Sequence, residues 1–171
     1  MRFPKDILVL DFEGTRTDPT QIGAVLLNKN TLEEKGSFVS YIYANLNGRR
    51  PIKSGITQEM LEGAPSQAEA GKQFHEKFGT DIFIATWVAN WDMFALKKIL
   101  AAGGIDFDTT YDYHVFDIWP AAYLYALKNG YAGGVQSEEM FQWFGAKARG
   151  LHNALEDARI AADVLRKIVA Q

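Results

Sequence analysis

Five side chains in three short motifs could do chemistry together: Asp11 with Glu13, Asp92, and His152 with Asp157. Asp11 and Glu13 stand two residues apart at the end of the apolar run Ile7 to Glu13. On a strand that spacing points both carboxylates the same way and Phe12 the other. Two like charges on one face repel and are costly to desolvate. Read alone, the motif also fits a strand that has already ended, with both acids in water. Asp92 falls at the start of a helix just beyond the run Ile82 to Ala85. The helix dipole favours an acid there, and α/β sheets bind ligands beyond the C-terminal ends of their strands. In the third motif Asn153 suits a helix N-cap, with Glu156 three residues on as its capping-box partner. His152 is then the residue before the cap and Asp157 the fourth helical residue, positions whose side chains meet. Alone, that pair reads as an ion pair at a helix end, worth about a few tenths of a kcal/mol.

Taken together, four carboxylates and one histidine suit two hard divalent cations, Mg²⁺ or Mn²⁺, which prefer oxygen ligands. Two such ions about 3.5–4 Å apart clamp the attacking and leaving oxygens of an in-line phosphoryl displacement. Zinc fits less well, because the chain has no cysteine and one well-placed histidine. His75, inside an amphipathic pattern, and His114, beside a strand, have no Asp five residues on and are assigned to structure.

Elements must hold these motifs. Ile7 to Glu13, Gln21 to Asn28 and Gly36 to Tyr43 read as strands, and the turn residues Asn28 to Thr31 make the last two a hairpin. Ala44 to Ser54 is polar and reads as an exposed loop. Ser66 and Glu69 form a capping box opening a helix whose Ala70, Phe74 and Phe78 share one face. Ile82 to Ala85 is a short buried strand, and Met93, Leu96, Ile99 and Leu100 mark a helix ending at Gly103-Gly104. Tyr113 to Phe116 reads as a fifth strand. Helices are expected over Pro120 to Lys128, Glu138 to Phe144 and Ala154 to Val169. Strands first, then strands interleaved with helices, predict one α/β domain over residues 1–171, with a mixed central sheet flanked by helices. The pattern leaves the strand order open.

Composition agrees with a globular protein: 47% hydrophobic and 23% charged residues in a chain of 171. Without cysteine there are no disulfides and no cysteine nucleophile. No apolar run approaches the ~20 residues of a membrane span, and the short charged start is no signal peptide. A soluble cytoplasmic protein is expected. The net charge of −3 argues, at first sight, against nucleic acid, whose binding is driven by basic surface. With the four candidate metal-site acids set aside, however, 18 basic residues face 17 acidic ones instead of 21.

The three motifs, in this order and along nearly the whole chain, resemble the DEDDh (DnaQ-like) family of 3′–5′ exonucleases in the ribonuclease H-like superfamily. They read "LVLDFEGT" around Asp11 and Glu13, "NWDMFALKKIL" around Asp92, and "HNALEDARIAADVL" around His152 and Asp157. "DFEGT", "IGAVLLN", "GITQEML" and "NWDM" are similar to the Eri-type branch, which includes the histone-mRNA 3′ exonuclease. Proofreading members carry Asn four residues before the second-motif Asp, where this chain has Val88, a departure that favours the Eri-type branch. Gly14 stands where many Eri-type members have Ala. No additional RNA-binding domain is expected before the motifs, which speaks against structured RNA as the target.

The resemblance implies a ribonuclease H-like fold and a two-metal exonuclease releasing nucleoside 5′-monophosphates from single-stranded 3′ ends, RNA favoured over DNA. It implies that Asp11 bridges both cations and that Glu13 and Asp157 hold the water-activating one. Asp92 would reach it through water, and His152 would be the general base. Phe12, Gly14 and Thr15 lie where the family's backbone meets the terminal nucleotide. Trp91 is a candidate stacking platform, with core packing the competing explanation. Arg49, Arg50 and Lys53, or Lys147 and Arg149, could track phosphates, though solvated surface charge explains each as well. The same chemistry on DNA, an inactive binding module and a ribonuclease H-type endonuclease remain the alternatives.

Overall fold

The alternation of the first apolar run decides the architecture. In the computed structural model, which describes residues 3–48 and 53–170, this run is β1 (Asp6–Gly14). Ile7 and Val9 point into one core, and Leu8, Leu10 and Phe12 into a second on the opposite face. β2 (Pro19–Leu27) and β3 (Glu34–Tyr41) continue as an antiparallel meander. The hairpin turn between them closes on the Asn28 N–H donating to the Glu33 carbonyl and the Leu32 N–H donating to Asn28. Polar α1 (Gln58–Leu61) follows, then α2 (Gln67–Phe78), opened by the Ser66–Glu69 capping box. β4 (Ile82–Thr86) pairs parallel to β1 and leads into α3 (Ala89–Ala102). After α4 (Phe107–Thr110), β5 (Phe116–Asp117) pairs parallel to β4. α5 (Ile118–Lys128), α6 (Ser137–Trp143) and α7 (Ala154–Val169) complete the chain. The sheet order is β3-β2-β1-β4-β5.

Two helical layers cover the sheet. α2 and α3 bury Phe74, Leu96, Ile99 and Leu100 against the Leu8–Leu10–Phe12 face. α5, α6 and α7 bury Ala122, Phe141, Ala158, Ala162 and Leu165 against the Ile7–Val9 face. The small residues on α7 let its axis lie close to the strands. Gly23 of β2 carries this furthest: a Cβ there would sit 2.1 Å from the Leu155 amide nitrogen and 2.2 Å from the Ala154 carbonyl carbon. The helix start therefore rests directly on strand backbone.

Three sequence expectations need correction. The fifth strand is Phe116–Asp117, paired with Ala85 and Thr86 of β4, and Tyr113 is 75% exposed, because the His114 N–H donates to the Asp112 carboxylate and turns the chain there. The segment from Ala44 to Ser54 is not wholly exposed: Ala44 packs with Ile56 and Leu61, and Gln58 ties the segment down through the Leu46 N–H and Ala44 carbonyl. Asn153 caps α7 by accepting from the Leu155 and Glu156 amides, but the Glu156 carboxylate pairs with Arg159 at 2.9 Å and completes no capping box. Arg49 and Arg50 lie outside the described residues. Among the described residues no helix is long and apolar enough to cross a membrane.

Candidate active site

Because Ile7 and Val9 face the α5–α7 layer, the same alternation carries Asp11 and Glu13 to that face, at the open end of the sheet. Asp11 stands opposite Gly23 and Glu13 opposite Gln21 in the β1–β2 register. The start of α7 rests at Gly23, so its first turn meets both carboxylates. Gln21, nearly fully buried, fixes the approach by accepting the Ala154 N–H at 2.9 Å. His152 is tethered on its other side, its N–H donating to the Lys53 carbonyl at 2.8 Å. The result is a close trio. His152 Nδ1 lies 3.7 Å from Asp157 Oδ2 and 3.9 Å from Glu13 Oε1, and all three residues offer ligand atoms within 4.8 Å of one another.

Asp92, in the first turn of α3, comes from the other helical layer and is 3% exposed. It joins Asp11, Glu13, His152 and Asp157 in lining one cleft of about 830 Å³. Phe12, Gly14, Lys53, Trp91 and, from α6, Ser137 and Glu138 complete much of its wall. Thr15 does not line it: the Thr15 hydroxyl accepts the Asp18 N–H, and the Thr15 N–H donates to the Asp18 carbonyl, closing an exposed turn. His75 bonds the Tyr111 hydroxyl at 2.8 Å and His114 pairs with Asp112, so both are structural, as read from the sequence.

Burial, with neighbouring negative charge, raises all four carboxylates. Burial, followed by the charges of Asp92, Asp157 and Glu13, pushes Asp11 well above the usual carboxylate range. Burial and the Asp157 charge lift Glu13 to about 7, and burial lifts Asp92 to about 8 against nearby backbone N–H groups of Phe12 and Val88. Asp157 is raised by burial in spite of Arg149. His152 is pushed down by burial and then by the Arg149 and Lys53 charges, against the pull of Asp157. Four buried oxygen donors that resist joint ionisation are a donor set completed by cations. Asp11, Glu13, Asp92 and Asp157 fit hard divalent ions in that sense.

Asp117 and Arg16, close to the cleft, were not singled out by sequence, whereas Trp91 and Arg149 were left with two explanations each. Asp117, at the start of α5, has a buried Oδ1 without a hydrogen-bond partner, and its charge adds to the upward push on Asp92. Arg16 lies 5.7 Å from the Trp91 ring centroid and 5.4 Å from that of Phe94, on exposed ground beside the cleft. Trp91 is 44% exposed, which removes core packing as its explanation. Arg149 is 12% exposed and bonded to Glu138 and Asp157, so the solvated-charge reading fails for it. Asp117 and Arg16 carry no local signal, because their partners lie on elements distant in sequence.

A five-stranded mixed sheet between two helical layers, with an acidic cleft beyond β1 and β4, is a ribonuclease H-like fold. The family described as Exonuclease (RNase_T) matches residues 8–165, and the chain belongs to that family. It is 26% identical over 172 residues to the DNA polymerase III subunit epsilon of Aquifex aeolicus (strain VF5), covering 96% of this chain and 80% of that protein. The zinc-ion-bound form of the E. coli ExoI–ssDNA complex superposes with a TM-score of 0.75 at 17% identity, over 95% of this chain and 41% of that one. Cell-death related nuclease 4 (CRN-4) gives a TM-score of 0.76 at 14% identity, over 97% and 64% respectively. The chain thus spans less than half of ExoI, and these structural likenesses establish the fold.

Proposed function

We propose that this protein is a metal-dependent 3′–5′ exonuclease of the DEDDh type, releasing nucleoside 5′-monophosphates from single-stranded 3′ ends. The observation that carries this is the convergence of Asp11, Glu13, Asp92, His152 and Asp157 on one cleft. Asp11 and Glu13 come from β1, Asp157 from α7 packed on that face of the sheet, and Asp92 from the other helical layer. Membership of the exonuclease family supports the reaction class.

Asp11, Glu13, Asp92 and Asp157 would hold two divalent cations, Mg²⁺ or Mn²⁺. When bound, such ions supply a charge clamp for the attacking and leaving oxygens of the scissile phosphate. His152 takes the proton of the attacking water, a role that needs a neutral imidazole. Burial and the neighbouring Arg149 and Lys53 charges favour that form. Phe12 and Gly14 border the cleft where the terminal nucleotide would sit, and exposed Trp91 offers its ring to a base. Thr15, turned into its own loop, would contribute through backbone alone.

The Eri-type motifs favour RNA. DNA is the second reading, favoured by the relatives, which include an ExoI–ssDNA complex and a DNA polymerase subunit. The test is digestion of 5′-labelled single-stranded RNA and DNA of one sequence with Mg²⁺, Mn²⁺ or EDTA. A metal-dependent ladder from the 3′ end is expected, and the faster substrate decides between the readings. Internal cuts would indicate an endonuclease, and no product with either metal a binding module.

A further inference from the structure

Arg149 stands where a surface cation has no reason to be. Its Nε donates to Glu138 Oε2 at 2.7 Å, and its backbone N–H donates to Glu138 Oε1 at 3.1 Å. Its Nη1 donates to Asp157 Oδ2 at 3.0 Å, and the guanidinium lies 4.9 Å from the Phe141 ring centroid. The oxygen it holds, Asp157 Oδ2, is the one that faces His152 Nδ1. A carboxylate that is to ligate a divalent cation is thus already engaged by a monovalent one.

Two cavities meet at Arg149. A second cavity of about 440 Å³ lies behind it, lined by Lys147, Gly150 and Lys167 and sharing Arg149 and Asp157 with the active-site cleft. Arg149 therefore stands in the wall between the two. It is carried by the loop that joins α6 to α7, with Gly145 and Gly150 on either side. Glu138 is fixed on α6 and holds Arg149 by two bonds independent of Asp157. A guanidinium and a divalent ion on one carboxylate repel strongly at this depth, where screening by water is weak.

We propose that Arg149 is an exchangeable counter-cation of the metal site. In the metal-free protein it neutralises Asp157. When a divalent cation loads, Arg149 gives up the Asp157 oxygen and stays on Glu138 at the cleft wall, where its free N–H groups face an incoming phosphate. This rests on the reading of Asp157 as a metal ligand and adds the residue that occupies the ligand beforehand.

The test is Mn²⁺ binding by calorimetry, with thermal unfolding in EDTA and in saturating Mn²⁺. Arg149→Met keeps the packing on Phe141 and removes the competitor. It is expected to bind Mn²⁺ about tenfold more tightly than wild type. It should melt lower in EDTA and recover most of that loss with Mn²⁺. Glu138→Gln removes the alternative anchor, so Arg149 leans on Asp157 and Mn²⁺ binding weakens. A purely structural bridge predicts weaker or unchanged Mn²⁺ binding in Arg149→Met and the same loss of melting temperature with and without metal; either result overturns the exchange. Asp157→Asn separates the two levels. Unchanged Mn²⁺ binding in that variant overturns the ligand assignment itself. Weakened binding there, with no gain in Arg149→Met, overturns the exchange alone.

Discussion

His152 sits within ligand reach of Glu13 and Asp157, so its role as a base must be separated from a role as a ligand. His152→Ala is expected to lose most of the turnover, by about 10²–10⁴-fold as for other general bases, while keeping its fold and Mn²⁺ affinity. Near-wild-type turnover sinks the assignment. Trp91 is testable in the same way: Trp91→Ala should raise KM for oligonucleotides by about tenfold, the loss of one base–aromatic stack, with kcat little changed. The raised carboxylates also set a pH dependence. Glu13 and Asp92 ionise in the folded, metal-free protein only near 7 and 8, so they weaken folding as pH climbs from the ordinary carboxylate range to those values. His152, held toward its neutral form, opposes this below its ordinary value of 6.5. With Asp11 and Asp157 raised as well, the carboxylates outnumber it. In EDTA the melting temperature should therefore fall between pH 5 and 8, by about 2–4 °C per kcal/mol lost in a domain of this size. Saturating Mn²⁺ should flatten that slope, and a melting temperature that rises over the interval contradicts the arrangement.

Among the elements, the decisive contact is between α7 and β2. A helix end fits against strand backbone only where a side chain is missing, and Gly23 supplies that gap opposite Asp11. The atoms a Cβ would meet are backbone, which cannot turn aside. Gly23→Ala is expected to cost about 1–3 kcal/mol of stability and to lower activity further by shifting His152 and Asp157 from Glu13. Gly36→Ala on β3, where a Cβ would meet nothing within 4 Å, is the matching control and should be close to neutral. Equal effects of the two substitutions in unfolding and turnover assays would show that the close approach does not position the site. α7 itself was legible from sequence at both ends, because its cap, its alanine stripe and its length all agree. β5 was not, since two residues leave no period to read. The four-residue helices α1 and α4 were missed for the same reason.

For the whole molecule, charge is the informative property. A chain at −3 that gathers Asp11, Glu13, Asp92 and Asp157 in one cleft offers a phosphate backbone little positive charge until cations enter. Single-stranded oligonucleotide should therefore bind weakly in EDTA and more tightly with Ca²⁺, which supplies the charge in place of Mg²⁺ or Mn²⁺. Fluorescence anisotropy measures this directly, and tight binding in EDTA would contradict it. The acidity that first argued against nucleic acid is thus largely that of the candidate metal site itself.

The sequence by itself determined the strands and helices that are long enough to show a period, the caps that start α2 and α7, and the five residues worth testing. Those signals are local: alternation places Asp11 with Glu13, and helix geometry places His152 with Asp157. Only the tertiary structure decided that these pairs meet Asp92 in one cleft, because that depends on the sheet order and on Gly23 admitting α7. It also decided that Trp91 faces water and that Arg149 engages Asp157. Both follow from packing between elements far apart in the chain, to which no local pattern of residues is coupled.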